Sequence, residues 1–231
     1  MVFDQKFVGH AWEQWHWDTK DKSPAAKLSP CQQAVYFHTN LLLESEGSAG
    51  VRGTKGFCHG EHYWEVEFLE APYGVSVMVG VGTEKAALHT ESRRCIDLLG
   101  VDGESWGLSY KGCLWHNGQS SRYTEPFYQQ NTVIGVLLDL DAGALSFYRD
   151  GVSLGRAFSG MDEVGRPLYP LASSTAPETE LQLGLRSCRL DTLQERCFHA
   201  VAEHLRPQAP PDSLALPRAM RAHLLALHHR A

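Results

Sequence analysis

Between residues 33 and 186 the chain is a succession of short apolar or alternating runs closed by turn signals, with no helical period between them. His62-Tyr63-Trp64-Glu65-Val66-Glu67-Phe68 alternates between two faces, as a strand with one buried side does. Ser76-Val77-Met78-Val79-Gly80-Val81-Gly82 is β-branched and ends on glycine, and 133–140 is continuously apolar up to its final Asp-Leu. Asp141-Ala142-Gly143 turns that run into 144–149, and Asp150-Gly151 is the strongest hairpin signal in the chain. Weaker runs at 33–38, 105–110, 113–116, 152–155, 168–173 and 180–185 complete the series. Short strands joined by turns point to an all-β, two-sheet antiparallel sandwich, and an aromatic content of 10% suits a packed core between the sheets.

The pattern changes near residue 190. Leu193, Cys197 and Val201 are spaced at i, i+4 and i+8, which stacks them on one face of a helix, and Thr192 is placed to cap it. Arg206-Pro207-Gln208-Ala209-Pro210-Pro211-Asp212 cannot continue that helix, and a second helix is expected from Leu216-Pro217 onward, with the proline in its first turn. The chain therefore divides into a β-sandwich over 1–190 and a small α-helical segment over 191–231. By spacing alone the Leu193 stripe has two uses: it completes the chain's own fold, or it docks on another protein.

Composition narrows the function classes. The chain has 43% hydrophobic and 21% charged residues, and no apolar run long enough to span a bilayer. Its net charge of −6 is spread over interleaved acids and bases, so no basic stripe offers itself to nucleic acid. The opening Met-Val-Phe-Asp does not read as a secretory signal, and the six cysteines never form Cys-x-x-Cys. Reduced, mostly buried thiols in the cytoplasm or nucleus are the expectation.

Candidate chemistry is weak throughout. Gly80-x-Gly82 lacks the third glycine and the following helix of a dinucleotide loop, and reads as close strand packing. Asp139-x-Asp141-x-Gly143 lacks the closing glutamate of a calcium loop and reads as a hairpin turn. Cys58-His59-Gly60-Glu61-His62 has metal-type residues but no evident fourth ligand. There is no Gly-x-Ser-x-Gly elbow, and Cys95, beside Arg93 and Arg94, has no base near it in sequence. No catalytic residue, metal site or cofactor is expected.

Glu61-His62-Tyr63-Trp64-Glu65-Val66, Val79-Gly80-Val81-Gly82-Thr83, Glu104-Ser105-Trp106-Gly107, Leu138-Asp139-Leu140-Asp141, Leu145-Ser146-Phe147-Tyr148, Asp150-Gly151 and Leu168-Tyr169-Pro170 resemble the successive signatures of a SPRY domain, and Arg52-Gly53-Thr54-Lys55-Gly56 the loop before the first of them. Leu193, Cys197 and Val201 resemble the elongin-binding box of a SOCS box. Leu214-Ala215-Leu216-Pro217 is similar to its cullin box. Together these features are those of the SPRY domain-containing SOCS box proteins. The resemblance implies a non-enzymatic receptor subunit of a ubiquitin ligase that promotes ubiquitination and proteasomal degradation of a target. Leu193, Cys197 and Val201 would contact elongin C, which pairs with elongin B. Leu214, Leu216 and Pro217 would contact a cullin of the fifth type with its RING protein. Ala215 stands where the family usually has proline, so a weaker cullin contact is expected. The resemblance further implies that Tyr73, Gly74, Leu98 and Thr175, from three loops, hold a short peptide motif of the target. Relatives that bind Asn-rich peptides carry Val-Trp where this chain has Thr175-Ala176, and Tyr where it has Cys95, so a different peptide preference is expected. The rival class is an interaction scaffold whose last helices finish its own fold.

Overall fold

Two antiparallel sheets face each other in the structure, a computed structural model that describes residues 10–38, 47–90 and 94–189. The eight-stranded sheet holds β1 (His10–Trp12), β3 (Ala26–Leu28), β4 (Ala34–Phe37), β6 (Glu61–Phe68), β11 (Thr132–Asp139), β12 (Ala144–Arg149), β13 (Val152–Ser159) and β15 (Thr179–Arg189). Its order is β13-β12-β11-β6-β15-β4-β3, with β1 paired to β15. The seven-stranded sheet holds β2 (Trp17–Lys22), β5 (Ala49–Gly53), β7 (Val77–Gly82), β8 (Ser105–Ser109), β9 (Cys113–His116), β10 (Gln119–Arg122) and β14 (Tyr169–Ser174), in the order β10-β9-β8-β7-β14-β5-β2. A short 3-10 helix, Met161–Val164, links β13 to the segment before β14. His10–Cys188 forms one compact unit. The elongin and cullin candidates, Leu193, Cys197, Val201, Leu214, Leu216 and Pro217, lie outside the described residues.

Alternation decides which side chains enter the core. Trp64, Val66 and Phe68 of β6 point inward with Ile134, Val136 and Leu138 of β11, and meet Val77, Val79 and Val81 of β7 from the facing sheet. The odd-numbered face of β6 is the outer one, where the Tyr63 ring lies across Gly135 of β11 and packs edge-on against Tyr148. Strand β7 is buried on both sides. Its second face carries Met78, which joins Leu171 and the Ala86, Leu88 and Leu99 side chains of the long β7–β8 connection in a second apolar cluster. The glycines of β7 are there for contact: a Cβ on Gly80 would sit 2.0 Å from the Trp106 carbonyl oxygen.

The strand series begins earlier than residue 33. Strands β1, β2 and β3 belong to the sandwich, and the segment between β1 and β2 inserts Trp15 into the core, edge-on to Trp17, Phe57 and Trp64. Arg52 and Gly53, read from sequence as a loop, are the end of β5, where the buried Arg52 guanidinium pairs with Asp21 and donates to the Ala86 carbonyl at 3.0 Å. The Asp150-Gly151 hairpin is as expected, with φ of 51° and 78°. The calcium-like run is also a turn: the Asp139 carboxylate accepts the Ala142 N–H at 2.8 Å.

Glu13 fastens the N-terminal segment to the sheet. Its carboxylate, 3% exposed, accepts from Lys55 Nζ at 2.6 Å and lies 3.2 Å from His62 Nδ1. His62 in turn stacks on Phe57, which is why Cys58-His59-Gly60-Glu61-His62 packs as a loop entering a strand. Burial pushes the Glu13 carboxyl up, but the hydrogen bonds and charges of His62 and Lys55 outweigh it and hold the group below its ordinary 4.5. A depressed carboxylate stabilises the fold fully above its unfolded-state pKa and loses that contribution as pH falls through the folded one. Glu13→Gln is therefore expected to lower stability at pH 7 by about 1–3 kcal/mol, since it leaves its partners half-satisfied. It should also flatten the loss of stability below pH 4.5, as read by urea unfolding across pH. A variant as stable and as acid-sensitive as the wild type would contradict this role.

Candidate functional site

The pairing of β14 with β7 brings Ser174 opposite Val77, so the loop leaving β14 and the loop entering β7 emerge together at one end of the sheet. They are stitched to each other. Thr175 Oγ1 accepts the Ser76 N–H at 2.9 Å, and the Thr175 N–H donates to the Ser76 carbonyl at 2.9 Å. From below, the Tyr110 hydroxyl donates to the Gly74 carbonyl at 2.7 Å and Lys111 Nζ to the Val75 carbonyl at 2.5 Å. Gly74 has φ +79°, and a Cβ there would lie 3.2 Å from that of Ala176, so both backbone shape and close approach require glycine. The third loop is held by Ser48, whose hydroxyl donates to the Ile96 carbonyl at 2.7 Å and accepts its N–H at 2.9 Å, and by Asp97, which accepts from Ser76 Oγ at 2.7 Å.

The expected target-binding residues separate into two layers. Tyr73, 50% exposed, and Gly74 reach the surface. Leu98 and Thr175 are 2% and 4% exposed: Leu98 packs against Gly50, and Thr175 uses its hydroxyl on Ser76. They position the loops from beneath and present no side chain to a partner. The sequence pattern singles out these loops but cannot tell a lining residue from a supporting one.

Beside Tyr73 lies a cavity of about 550 Å³ lined by Tyr36, Glu70, Ala71, Tyr73, Glu178 and Glu180. Three of these, Tyr36, Glu178 and Glu180, lie outside the loops singled out from sequence. They come from two distant stretches, joined because β15 pairs with β4 in a register that sets Glu180 opposite Tyr36. The outward position of Tyr36 between the buried Val35 and Phe37 is the one signal in the sequence that could have exposed it. The Glu180 carboxylate accepts from the Tyr36 hydroxyl and, with burial, raises the pKa of that phenol. Tyr73 is raised by burial and by the Glu178 charge. Its hydroxyl donates to the Pro177 carbonyl at 2.6 Å, which fixes the ring over the β14–β15 turn. That turn is stapled internally by Ser174 Oγ, which accepts the Ala176 N–H at 2.9 Å and lies 2.8 Å from Thr179 Oγ1.

Among the described residues no three His, Cys, Asp or Glu side chains are grouped to hold a metal, and no helix is long and apolar enough to cross a membrane. Of the described cysteines, Cys31 and Cys58 are exposed and Cys95, Cys113 and Cys188 half-buried, where burial was expected.

A two-sheet antiparallel sandwich whose loops converge on a preformed pocket at one end is the architecture of an interaction module. The SPRY domain model matches residues 61–185, and the chain belongs to the SPRY domain family. It is 37% identical to SPRY domain-containing SOCS box protein 3 of Xenopus laevis over 79% of this chain and 49% of that protein. To the protein of that name in Xenopus tropicalis it is 36% identical over 87% of this chain and 52% of the relative. It is also 34% identical to F-box/SPRY domain-containing protein 1 of Drosophila grimshawi, over 76% of this chain and 68% of that one. The chain thus spans about half the length of the two Xenopus relatives. Among solved structures, the TRIM65 PSpry domain shares the fold at 24% identity, with a TM-score of 0.58 over 74% of this chain and 90% of the other.

Proposed function

We propose that this chain is the target-recognition subunit of an elongin/cullin-RING ubiquitin ligase. The sandwich loops around Tyr73 hold a short peptide segment of a target. Leu193, Cys197 and Val201 bind elongin C with elongin B, and Leu214, Leu216 and Pro217 engage a cullin, of the fifth type by family resemblance, with its RING protein. The chain itself performs no chemistry. It acts by proximity, raising the effective concentration of target lysines at the ubiquitin-charged enzyme in the cytoplasm or nucleus.

The observation that carries this reading is the reach of the similarity. A match over 200 residues to a protein named for a SOCS box is longer than the β unit His10–Cys188. Even if it begins at Met1, it runs to about residue 200 and includes Leu193 and Cys197. The F-box/SPRY relatives, matched over 181 residues, do not require that extension. They favour a second reading, in which the sandwich is a binding module and its last helices only finish the fold. Co-purification separates the two: elongins B and C retained by the full chain support the receptor, and a folded chain that retains neither supports the scaffold.

Tyr73→Ala tests the target side. The ring is half exposed and its hydroxyl makes one described hydrogen bond, so its loss should leave the melting temperature nearly unchanged. Target capture is expected to weaken by about 1–2 kcal/mol, roughly five- to thirtyfold, while elongin binding persists. Proteins retained by wild-type and variant chains from proteasome-inhibited cells, quantified beside thermal melting, provide the readout. Undiminished capture would remove Tyr73 from the site.

A further inference from the structure

The cavity beside Tyr73 is chemically one-sided. Two tyrosine rings wall it, and Glu70, Glu178 and Glu180 supply carboxylates, while no Lys, Arg or His among the described residues lines it. Its phenol hydroxyls are already used. The Tyr36 hydroxyl is bonded to Glu180, the Tyr73 hydroxyl to the Pro177 carbonyl, and the Leu69 N–H to the Glu180 carbonyl. What remains facing an occupant is carboxylate oxygen and aromatic ring face. None of the three glutamates takes part in an ion pair among the described residues, whose salt bridges fall on Asp21, Glu13, Glu125 and Glu104.

Such a lining disfavours an anion and offers a carbonyl or amide oxygen no free side-chain donor among the described residues. It suits a cation with several N–H donors, which can bond to carboxylates and lie over a phenol ring at the same time. The ring is available for this because the hydroxyl anchor holds it half exposed at the mouth, 50% accessible. A volume of about 550 Å³ falls in the range of pockets that enclose a long side chain together with part of its backbone. Glu178 stands at φ +56°, in a turn stapled by Ser174 and Thr179, so the acceptor set is built before any ligand arrives.

We infer that this pocket takes an arginine or lysine side chain of the bound target segment. The inference rests on the receptor reading above and adds to it the chemical class of the residue recognised. It also gives a physical sense to the departure at Thr175-Ala176. With Thr175 and Ala176 buried, an exposed anchor is supplied instead by Tyr73 and the acidic wall next to it.

The test is a selection of random dodecapeptides, displayed on phage, against the full chain, keeping those whose binding is lost with Tyr73→Ala. These are expected to share an arginine or lysine at one position. Replacing it by glutamine should cost at least tenfold in affinity, and added salt should weaken the parent peptide. The double variant Glu70→Gln/Glu178→Gln, both positions being exposed, should melt like the wild type and lose a similar factor. On that variant the arginine-to-glutamine change in the peptide should have little further effect. Should the double variant melt early, Glu178→Gln alone carries the comparison. Tyr73-dependent peptides without a shared basic residue, or ones that bind the glutamine variants unchanged, would overturn the cation pocket and leave the receptor reading standing. A selection that yields no Tyr73-dependent peptide would overturn the cation pocket and remove Tyr73 from the site, while the receptor reading is decided separately by retention of elongins B and C.

Discussion

Leu193→Pro combined with Cys197→Phe is expected to abolish capture of elongins B and C by the full chain, a loss of a hundredfold or more. Proline directly after the expected cap Thr192 is tolerated by a helix, so its effect is the loss of the leucine side chain that opens the expected apolar stripe, at about 2–5 kcal/mol if that side chain is buried in the complex. Phenylalanine for cysteine overfills any pocket shaped to a small side chain. Neither position lies in the β unit His10–Cys188, so the sandwich should still melt in one cooperative transition. The pair of readouts gives the experiment its force. Lost binding with intact melting places the two residues in a contact with another protein. Lost melting as well would mean that the C-terminal stripe serves the chain's own core, and normal elongin capture would remove the assignment altogether.

Gly80→Ala should be the most damaging single methyl addition at a glycine inside a strand, costing about 3 kcal/mol. The new Cβ would fall 2.0 Å from the Trp106 carbonyl oxygen and 2.9 Å from the Gly107 Cα. Both belong to the backbone of β8, where Gly80 pairs directly with Gly107, so no side chain can rotate aside and the two strands must part. Strand β7 is buried on both faces and also pairs with β14, which carries the loop after Ser174, so the strain cannot be released toward solvent. Urea unfolding should show a lower midpoint with an unchanged slope. A loss under about 1 kcal/mol would mean that the β7–β8 contact is looser than its geometry indicates.

The same glycine shows what the sequence made legible. Gly80-x-Gly82 reads as strand packing because no helix follows it, and the structure gives that packing a partner, Trp106. Strands β6, β7, β11 and β12 could be read because each buries the apolar residues of one face. Strand β10, Gln119–Arg122, could not: all four residues are exposed at a sheet edge, so no hydrophobic pattern marks it. The second half of β13 is hidden for a similar reason, since its residues are exposed or half-buried throughout. Strands β1 and β3 are three residues each and acquire their identity only from β15 and β4, which follow them in sequence. Trp15 and Glu13 are thereby drawn into a core and a charge cluster that local pattern does not announce.

The site divides along the same line. Tyr73 and Gly74 are where a turn-rich loop with one aromatic would put them. Leu98 and Thr175 are buried within their loops, because burial in a loop depends on which neighbours pack on it. Gly50 lies against Leu98, and Ser76 bonds to Thr175. Tyr36 and Glu180 face each other through strand register alone, a relation 144 positions apart that no window of sequence displays.

Co-expression of the full chain with elongins B and C, followed by native mass spectrometry of the purified material, tests the central claim most directly. A single species containing one copy of each of the three proteins is the expected result. A folded chain that purifies alone, with elongins B and C associated only with each other, would contradict it.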